Sequence, residues 1–327
     1  MTSRDEEIEI LPARPEHEAE VLELLASALR WDRGPAGMDL FRWKHRENPF
    51  GPSAEWVAVA AGRVVGYRAF QRWELERDGA PVRVVRAVDT ATSPEYRGRG
   101  IFTRLTLGAL DALRADGVEF VFNTPNSQSR PGYLKMGWEV VGRLPVSGRV
   151  GSLRGLARAV VTRRSGGDAR RPVDAVPARE ALSESESVRE LLASMRGDAR
   201  LHTLRTVEYL QWRYRPDALG YRAVVVGGRA RDGLAVFRVR PRGSLVAASI
   251  CEVLVPAATP GAGGRLVRAV ADVPGVDYVV RLARSDVRRG FVRLPGRGPV
   301  LTWRGLRDGG APGAGGWNLE FGDVELF

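Results

Sequence analysis

The chain has 327 residues, 44% of them hydrophobic, and carries 50 Lys and Arg against 39 Asp and Glu for a formal net charge of +11. That length exceeds one ordinary domain and supplies enough apolar material for sizeable cores, while the single cysteine, Cys251, excludes an intramolecular disulfide and a multi-cysteine metal site. The positive charge suggests acidic partners, but Lys44 and Lys135 are the only lysines and no basic stripe is interleaved with aromatics, so the imbalance reads as arginine enrichment rather than a nucleic-acid face.

The N-terminal stretch Met-Thr-Ser-Arg-Asp-Glu-Glu is acidic and polar, and no run of about 18 apolar residues occurs, so a soluble, cytoplasmic protein is expected. His17, His45 and His202 show no metal-ligand spacing and read as surface or packing residues. Ile8 to Leu11 predicts a strand, about Glu16 to Leu29 a helix, Met38 to Phe50 a further ordered segment, and Glu55 to Ala60 and Val64 to Trp73 two more strands. A β-branched run then passes through Asp89-Thr90-Ala91-Thr92 and a proline into Arg97-Gly98-Arg99-Gly100. From there Ile101, Leu105, Gly108, Ala109, Ala112 and Leu113 recur at helical spacing, which predicts a helix to about Ala115, ending before Asp116-Gly117.

Strand, Gly-rich turn and helix in that order describe a pocket for a pyrophosphate. The first N–H groups of a helix have no intrahelical partner, and the macrodipole puts partial positive charge there. Gly98 and Gly100 remove the Cβ atoms that would hold a phosphate away, and Arg97 and Arg99 add charge around it. There is no Gly-Lys-Ser/Thr for a nucleoside triphosphate and no G-x-G-x-x-G for a dinucleotide fold.

Val118 to Phe122 predicts a short buried strand, Ser127 to Met136 a short helix and Gly137 to Val141 another strand. Two ordered motifs now stand in the chain. One is Arg97-Gly98-Arg99-Gly100-Ile101-Phe102; the other is Asn126, seven residues before Tyr133, with Gly137-Trp138 following. On these motifs, residues 5 to 145 or so resemble the GNAT superfamily of acyl-CoA-dependent N-acetyltransferases, whose phosphate-loop pattern is Gln/Arg-x-x-Gly-x-Gly/Ala. Phe102 departs from that pattern, and its side chain is expected to point into the helix packing.

The resemblance implies an α/β fold of the α+β GNAT kind and acetyl-CoA, or another acyl-CoA, as donor. By the match of motifs, Arg97, Gly98, Arg99, Gly100, Ile101, Phe102 and Thr103 would hold the pyrophosphate, the strand backbone at Thr90, Ala91 and Thr92 the thioester, and Asn126 the pantetheine. Direct attack of an amine on the thioester needs a donor for the departing thiolate, and Tyr133 is placed for that. It also needs the amine to lose a proton; strand alternation, with Ala87, Asp89 and Ala91 on one face, makes Asp89 the candidate base. Three simpler roles stay open: Asp89 as a satisfied buried carboxylate bonded to backbone or to an arginine such as Arg86, Tyr133 as an aromatic plug, and Asn126 as a helix cap.

The second half repeats the order of the first. Val173 to Ala178 predicts a strand, Ser183 to Met195 and Thr206 to Tyr214 helices, and Tyr221 to Val226 and Leu234 to Val239 strands. Leu40-Phe41-Arg42-Trp43-Lys44 matches Tyr209-Leu210-Gln211-Trp212-Arg213, each followed by Pro, Gly and a strand pair. The expectation is two tandem GNAT-like lobes, each a mixed twisted sheet flanked by helices: a catalytic domain over 1–147, a helix and linker over 148–172, and a degenerate domain over 173–327. The second lobe's loop, Pro256 to Gly264, lacks the leading Arg or Gln, and no Tyr lies between Ala283 and Arg289. Trp317 to Phe327 alternates and predicts a final strand, whose Asp323 and Glu325 could meet a cationic amine. Trp31, Asp32, Asp39, Trp43, Glu47, Phe50 and Trp73 are the candidate acceptor residues.

The function expected is transfer of an acetyl or short acyl group from CoA to a primary amine of a small molecule or amino sugar. Two other classes remain: a Fem-type aminoacyl transferase using charged tRNA, which would not need the phosphate cradle, and an acyl-CoA-binding module without catalysis. No metal site is expected.

Overall fold

Apolar side chains of the early strands alternate between two faces, and different helices cover each face in the computed structural model, which describes residues 6–29, 31–151, 175–242, 245–259, 261–283 and 286–324. The strands β1 (Glu9–Pro12), β2 (Ala54–Ala60), β3 (Arg63–Arg77), β4 (Ala80–Thr92) and β5 (Phe120–Asn123) lie in that order across one sheet. On one face α1 (Glu18–Leu29) and α2 (Pro35–His45) bury Val21, Leu24, Leu25 and Phe41 against Val57, Tyr67, Ala69, Val88 and Ala91. On the other, α3 (Ile101–Gly108), α4 (Leu110–Ala115) and α5 (Arg130–Lys135) bury Ile101, Leu105, Leu110, Leu113 and Tyr133 against Trp56, Ala58, Phe70, Val85, Ala87 and Val121. The helix expected from Ile101 to Ala115 is interrupted at Ala109 and is otherwise placed as its periodicity predicts.

Beyond β5 the chain order breaks. The sheet continues not to β6 (Glu139–Arg143) but to β15 (Val300–Gly305), which lies between β5 and β6 and pairs antiparallel with β5 through Thr302↔Asn123 and Trp303↔Phe122. One unit therefore consists of Met1–Leu75, Ala80–Gly142 and Val300–Gly313, and the other of Glu76–Gly79, Arg143–Pro299 and Ala314–Phe327. The sequential division expected at residue 147 meets a chain whose late segment 300–313 belongs with the first unit. Of the expected helix and linker over 148–172, the part from residue 152 onward lies outside the described residues.

The second unit has its own mixed sheet, built from β7 (Val146–Val150), β8 (Val176–Pro177), β10 (Tyr221–Val225), β11 (Leu234–Arg242), β12 (Leu245–Leu254), β13 (Tyr278–Leu282) and β14 (Val292–Arg293), in the order β14-β7-β13-β12-β11-β10-β8. The two-residue β9 (His202–Thr203) stands outside that order. The helix Ala262–Asp272 packs Leu266, Val267, Val270 and Ala271 onto Phe237, Ile250, Val279 and Phe291. Where Trp317 to Phe327 was expected to form a strand, the described part instead forms a short helix, Phe321–Val324. The reason lies in Asp323: its carboxylate accepts from the Glu320 N–H at 2.6 Å and faces Arg205 at 3.6 Å, fully buried, a turn geometry that a strand does not allow. Glu325 lies outside the described residues.

Candidate active site

β4 and β5 pair in parallel at Val84↔Phe120, Val85↔Val121 and Arg86↔Phe122, and their pairing ends there. From Ala87 to Thr92, β4 has no partner on the β5 side among the described residues, which leaves an opening between the two strands. Topology places ligand sites at such openings, because polar backbone faces a crevice there rather than a neighbouring strand.

At the end of β4 the chain makes the turn the sequence predicts. Gly98 (φ 79°) and Gly100 (φ 70°) both adopt left-handed backbone, and space where a Cβ would stand is open at each. Gly100 is the N-cap of α3 and offers no side chain to cap it, so the first N–H groups of that helix, from Ile101 through Thr103, have no intrahelical acceptor. These donors, with Arg97 and Arg99 beside them, fit a pyrophosphate. Phe102 does point into the packing: its ring meets that of Tyr133 edge-on at 5.4 Å, and Gly132 makes the room, since a Cβ there would stand 2.9 Å from the Phe102 ring. The departure from the family pattern is thus absorbed by α5 and leaves the turn open.

Tyr133 is 3% exposed and is wedged between Phe102 and Trp138, the latter at 5.3 Å. Its hydroxyl takes no hydrogen-bond partner among the described residues. Asn126 acts as the cap of the α5 entry, its Oδ1 accepting from the backbone of Gln128 (3.0 Å) and Ser129 (2.9 Å) and from the Ser129 hydroxyl. The amide nitrogen of Asn126 makes no hydrogen bond among the described residues.

Asp89 departs from the expected alternation. Its φ is +37°, and this left-handed residue shifts the phase of the strand: Ala87 faces the α3 side, whereas Ala91 joins Val88 on the α1 side. The three residues Ala87, Asp89 and Ala91 therefore do not share one face. Strained backbone of this kind persists where surroundings hold it, and here Lys44 Nζ stands 2.6 Å from Asp89 Oδ2 and His45 Nε2 2.9 Å from the same oxygen. His45 in turn contacts Ser53 Oγ through Nδ1 at 2.9 Å. Burial alone would raise the Asp89 pKa, but the Lys44 charge and the His45 hydrogen bond outweigh it and hold the carboxyl well below the usual carboxylate range. Thr90 donates from its hydroxyl to the Tyr67 carbonyl at 3.3 Å, Ala91 is buried, and Thr92 ends the strand.

The sequence did not identify Lys44 and His45 as partners of Asp89. Their only signal was a Lys-His pair at the end of an amphipathic helix, a pattern with many solvated readings. The candidate acceptor residues separate into groups. Asp32 lines a groove of about 660 Å³ with Glu20, Glu23, Met38, Arg63 and Ser93, between α1, the start of α2 and the edge of β3. Trp43 and Trp73 are buried core residues, Trp31 packs on Phe41, and Phe50 packs on Trp73 in a different cavity.

The second unit repeats part of this arrangement. β12 and β13 pair in parallel at Ala247↔Tyr278, Ala248↔Val279 and Ser249↔Val280, then part. A cavity of about 230 Å³ there is lined by Ile250, Val253, Gly264, Arg281, Arg289 and Glu320, among others. Among the described residues, no cluster of three or more His, Cys, Asp and Glu could hold a metal ion, and no helix is long and apolar enough to cross a membrane.

Residues 9–141 match the family model described as an acetyltransferase (GNAT) domain. No curated protein matches the chain. Among solved structures, a GCN5-related N-acetyltransferase from Kribbella flavida superposes with a TM-score of 0.61 at 16% identity, covering 92% of this chain and 72% of that one. A GCN5-related N-acetyltransferase from Anabaena variabilis gives 0.63 at 15% identity, covering 92% and 73%. A protein of Enterococcus faecalis described as a probable N-acyltransferase gives 0.62 at 12%, covering 92% and 73%. At these identities the structures share the fold.

Proposed function

We propose that this chain, whose residues 9–141 match the model of an acetyltransferase (GNAT) domain, is an acyltransferase that moves a short acyl group from CoA to a primary amine of a small molecule or amino sugar by direct attack. The observation that carries this reading is the β4–β5 opening, with the uncapped, left-handed Gly98–Gly100 turn at its end and Tyr133, whose hydroxyl has no hydrogen-bond partner among the described residues, packing its ring against that of Phe102 in the first turn of α3. CoA, when bound, supplies the acyl group as a thioester.

The chain's own residues then divide the work. Arg97, Gly98, Arg99, Gly100, Ile101, Phe102 and Thr103 would hold the pyrophosphate through backbone N–H groups and charge, and the free β4 edge from Thr90 to Thr92 offers a backbone N–H to the carbonyl oxygen that gains charge. Asn126 would turn its amide to the pantetheine, and the Tyr133 hydroxyl would give its proton to the leaving sulfur. Asp89 is assigned to positioning rather than to proton removal. A carboxylate already matched by Lys44 and His45 is too weak a base for an ammonium near neutral pH, and its bonds hold β4 in the shape that presents Thr90 to Thr92. The groove bearing Glu20, Glu23 and Asp32, lined also by Arg33 and Arg63, would take the acceptor amine against its carboxylates. The second unit reads as a degenerate copy of the first in a tandem arrangement, and a cytoplasmic location belongs to the same reading.

Incubation with acetyl-CoA or longer acyl-CoAs and a panel of amines should release free thiol, and Tyr133→Phe should slow release by about 100-fold with CoA affinity kept. Calorimetry showing CoA binding without turnover on any amine would point instead to a binding module, and retention of charged tRNA without CoA binding to an aminoacyl transferase.

A further inference from the structure

Arg68 stands on β3, opposite Trp56 of β2, and its side chain is 1% exposed. Its guanidinium is surrounded by rings: the carbon lies 4.7 Å from the centre of Phe70, 5.4 Å from Tyr133 and 5.8 Å from Phe102. Nε, Nη1 and Nη2 are all buried, and none has a hydrogen-bond partner among the described residues. The aromatic faces offset part of the cost of burying this charge. They satisfy none of its N–H donors, and a buried cation without an anion is among the costlier features a core can contain. Such a group is retained when something else completes it.

We propose that Arg68 receives a carboxylate carried on the far end of the acyl group, so that the donor is the CoA thioester of a short dicarboxylic acid, of the malonyl or succinyl class. This rests on the reading of the first unit as a CoA-dependent acyltransferase. Two of the surrounding rings belong to that site: Tyr133, which faces the sulfur in that reading, and Phe102, in the first turn of α3. The neighbouring backbone does too, because Thr90 bonds the carbonyl of Tyr67, the residue before Arg68. The guanidinium therefore lies beside the reacting end of the donor. The phosphates of CoA are matched elsewhere, by the turn from Arg97 to Thr103, and pantetheine and thioester are neutral. The acyl terminus is the part of the donor left to bring negative charge. A planar carboxylate takes two parallel N–H bonds from a guanidinium, whereas the methyl of an acetyl group takes none.

The transfer step is the ordinary one with this carboxylate as a spectator. The amine nitrogen bonds the thioester carbon, the carbon–sulfur bond breaks, sulfur keeps that electron pair and takes a proton from Tyr133, and the amine proton leaves to water. The product is an amide bearing a free carboxylate.

Calorimetry of the full-length protein with CoA, acetyl-CoA, malonyl-CoA and succinyl-CoA tests this, followed by thiol release from each thioester with the same amine. Malonyl- or succinyl-CoA should bind about tenfold or more tighter than acetyl-CoA, and Arg68→Met should bring the thioesters to parity. Arg68→Lys, which keeps charge in the ring box but not the fork, should retain the fold and part of the preference, and its melting curve controls for a Met variant that does not fold. Equal binding of acetyl- and dicarboxylic thioesters by the unaltered protein overturns the proposal, as does a preference that survives Arg68→Met, or an equal loss on all thioesters in Arg68→Lys. In those cases CoA itself still binds and the acyltransferase reading stands. Binding of neither CoA nor any thioester overturns that reading and this inference with it.

Discussion

β4 and β5 part after a short run of parallel pairs, from Val84↔Phe120 to Arg86↔Phe122, and β12 and β13 do the same, from Ala247↔Tyr278 to Ser249↔Val280. A helix follows β4 in one unit and β12 in the other, α3 and Ala262–Asp272 respectively. The difference lies in what stands at the helix start and in the charge beside the opening. Gly98 and Gly100 take left-handed backbone and face open space, whereas Gly261 is right-handed and a Cβ on Gly264 would stand 2.6 Å from the Arg289 guanidinium. In the first unit the carboxylate of Asp89 is matched by Lys44; in the second, burial and the neighbouring Glu252 push the Glu320 carboxyl up to about 8. An opening between parallel strands is thus a property of the topology. A phosphate site needs, besides, a turn whose N–H groups are left without covering side chains.

The largest effect expected from breaking this contrast is at Lys44. Lys44→Met leaves Asp89 buried beside an apolar side chain, which should cost about 3–5 kcal/mol of stability, measured as a lower urea midpoint at pH 7. The depressed Asp89 pKa contributes stability above the ordinary carboxylate value near 3.9, and this is lost as pH falls toward the folded value. The gap between the two proteins should therefore narrow below about pH 4. A gap that is absent at pH 7 would remove the ion pair from the account of β4.

Next in size is Glu320, where the sign is reversed. Its carboxyl rises from 4.5 to about 8 in the folded chain, so the folded state holds the proton more tightly than the unfolded one. That contribution is complete below about pH 4.5 and is lost as pH rises through 8. Urea midpoints of the unaltered chain should fall from pH 5 to pH 8, and those of Glu320→Gln should fall less. Parallel slopes would show that the Glu320 carboxyl is ionised near neutral pH, as that of Asp89 is.

The elements of local origin were legible in the sequence: the Arg97–Phe102 turn, the α3 periodicity, the capping role of Asn126 and the strands up to Phe122 rest on neighbours within a few residues. What depends on distant partners was not. Nothing near Val300 announces that this strand lies between β5 and β6, because strand order is set by which edges are free after the early strands have paired. Alternation could not reveal that Asp89 shifts its own strand out of phase, since its reason is a lysine on α2. Arg68 looked like one more arginine in an arginine-rich chain, and only its ring neighbours, contributed by β3, α3 and α5, distinguish it. Asp323 misled in the opposite direction, its apparent strand alternation serving a buried bond to a helical turn.

A smaller effect is expected at the turn itself. Gly100→Val puts a β-branched residue at φ 70°, where strain of about 1–3 kcal/mol is ordinary, and adds bulk where the phosphate would approach. The KM for acyl-CoA should rise by about tenfold or more while the kcat at saturation changes less, because Tyr133 and β4 are untouched. A fall in kcat with KM unchanged would place the turn outside donor binding.

The smallest effect, and the sharpest control, is the matching change in the second unit. Gly263 lies in the first turn of the helix Ala262–Asp272, its backbone is not left-handed, and a Cβ there would meet Val255 at 3.8 Å and Val253 at 3.9 Å, ordinary contact distances. Gly263→Ala should therefore leave thiol release and acyl-CoA affinity as they are. It should also stabilise the chain by up to about 0.5–1 kcal/mol, because alanine loses less backbone freedom in a helix. The glycines of the two openings then differ in kind: one pair is required by left-handed backbone at the proposed phosphate turn, and the other is a helix residue that a methyl group improves. If Gly263→Ala instead weakens acyl-CoA binding, the second opening takes part in donor binding, and the division of labour between the two sheets fails.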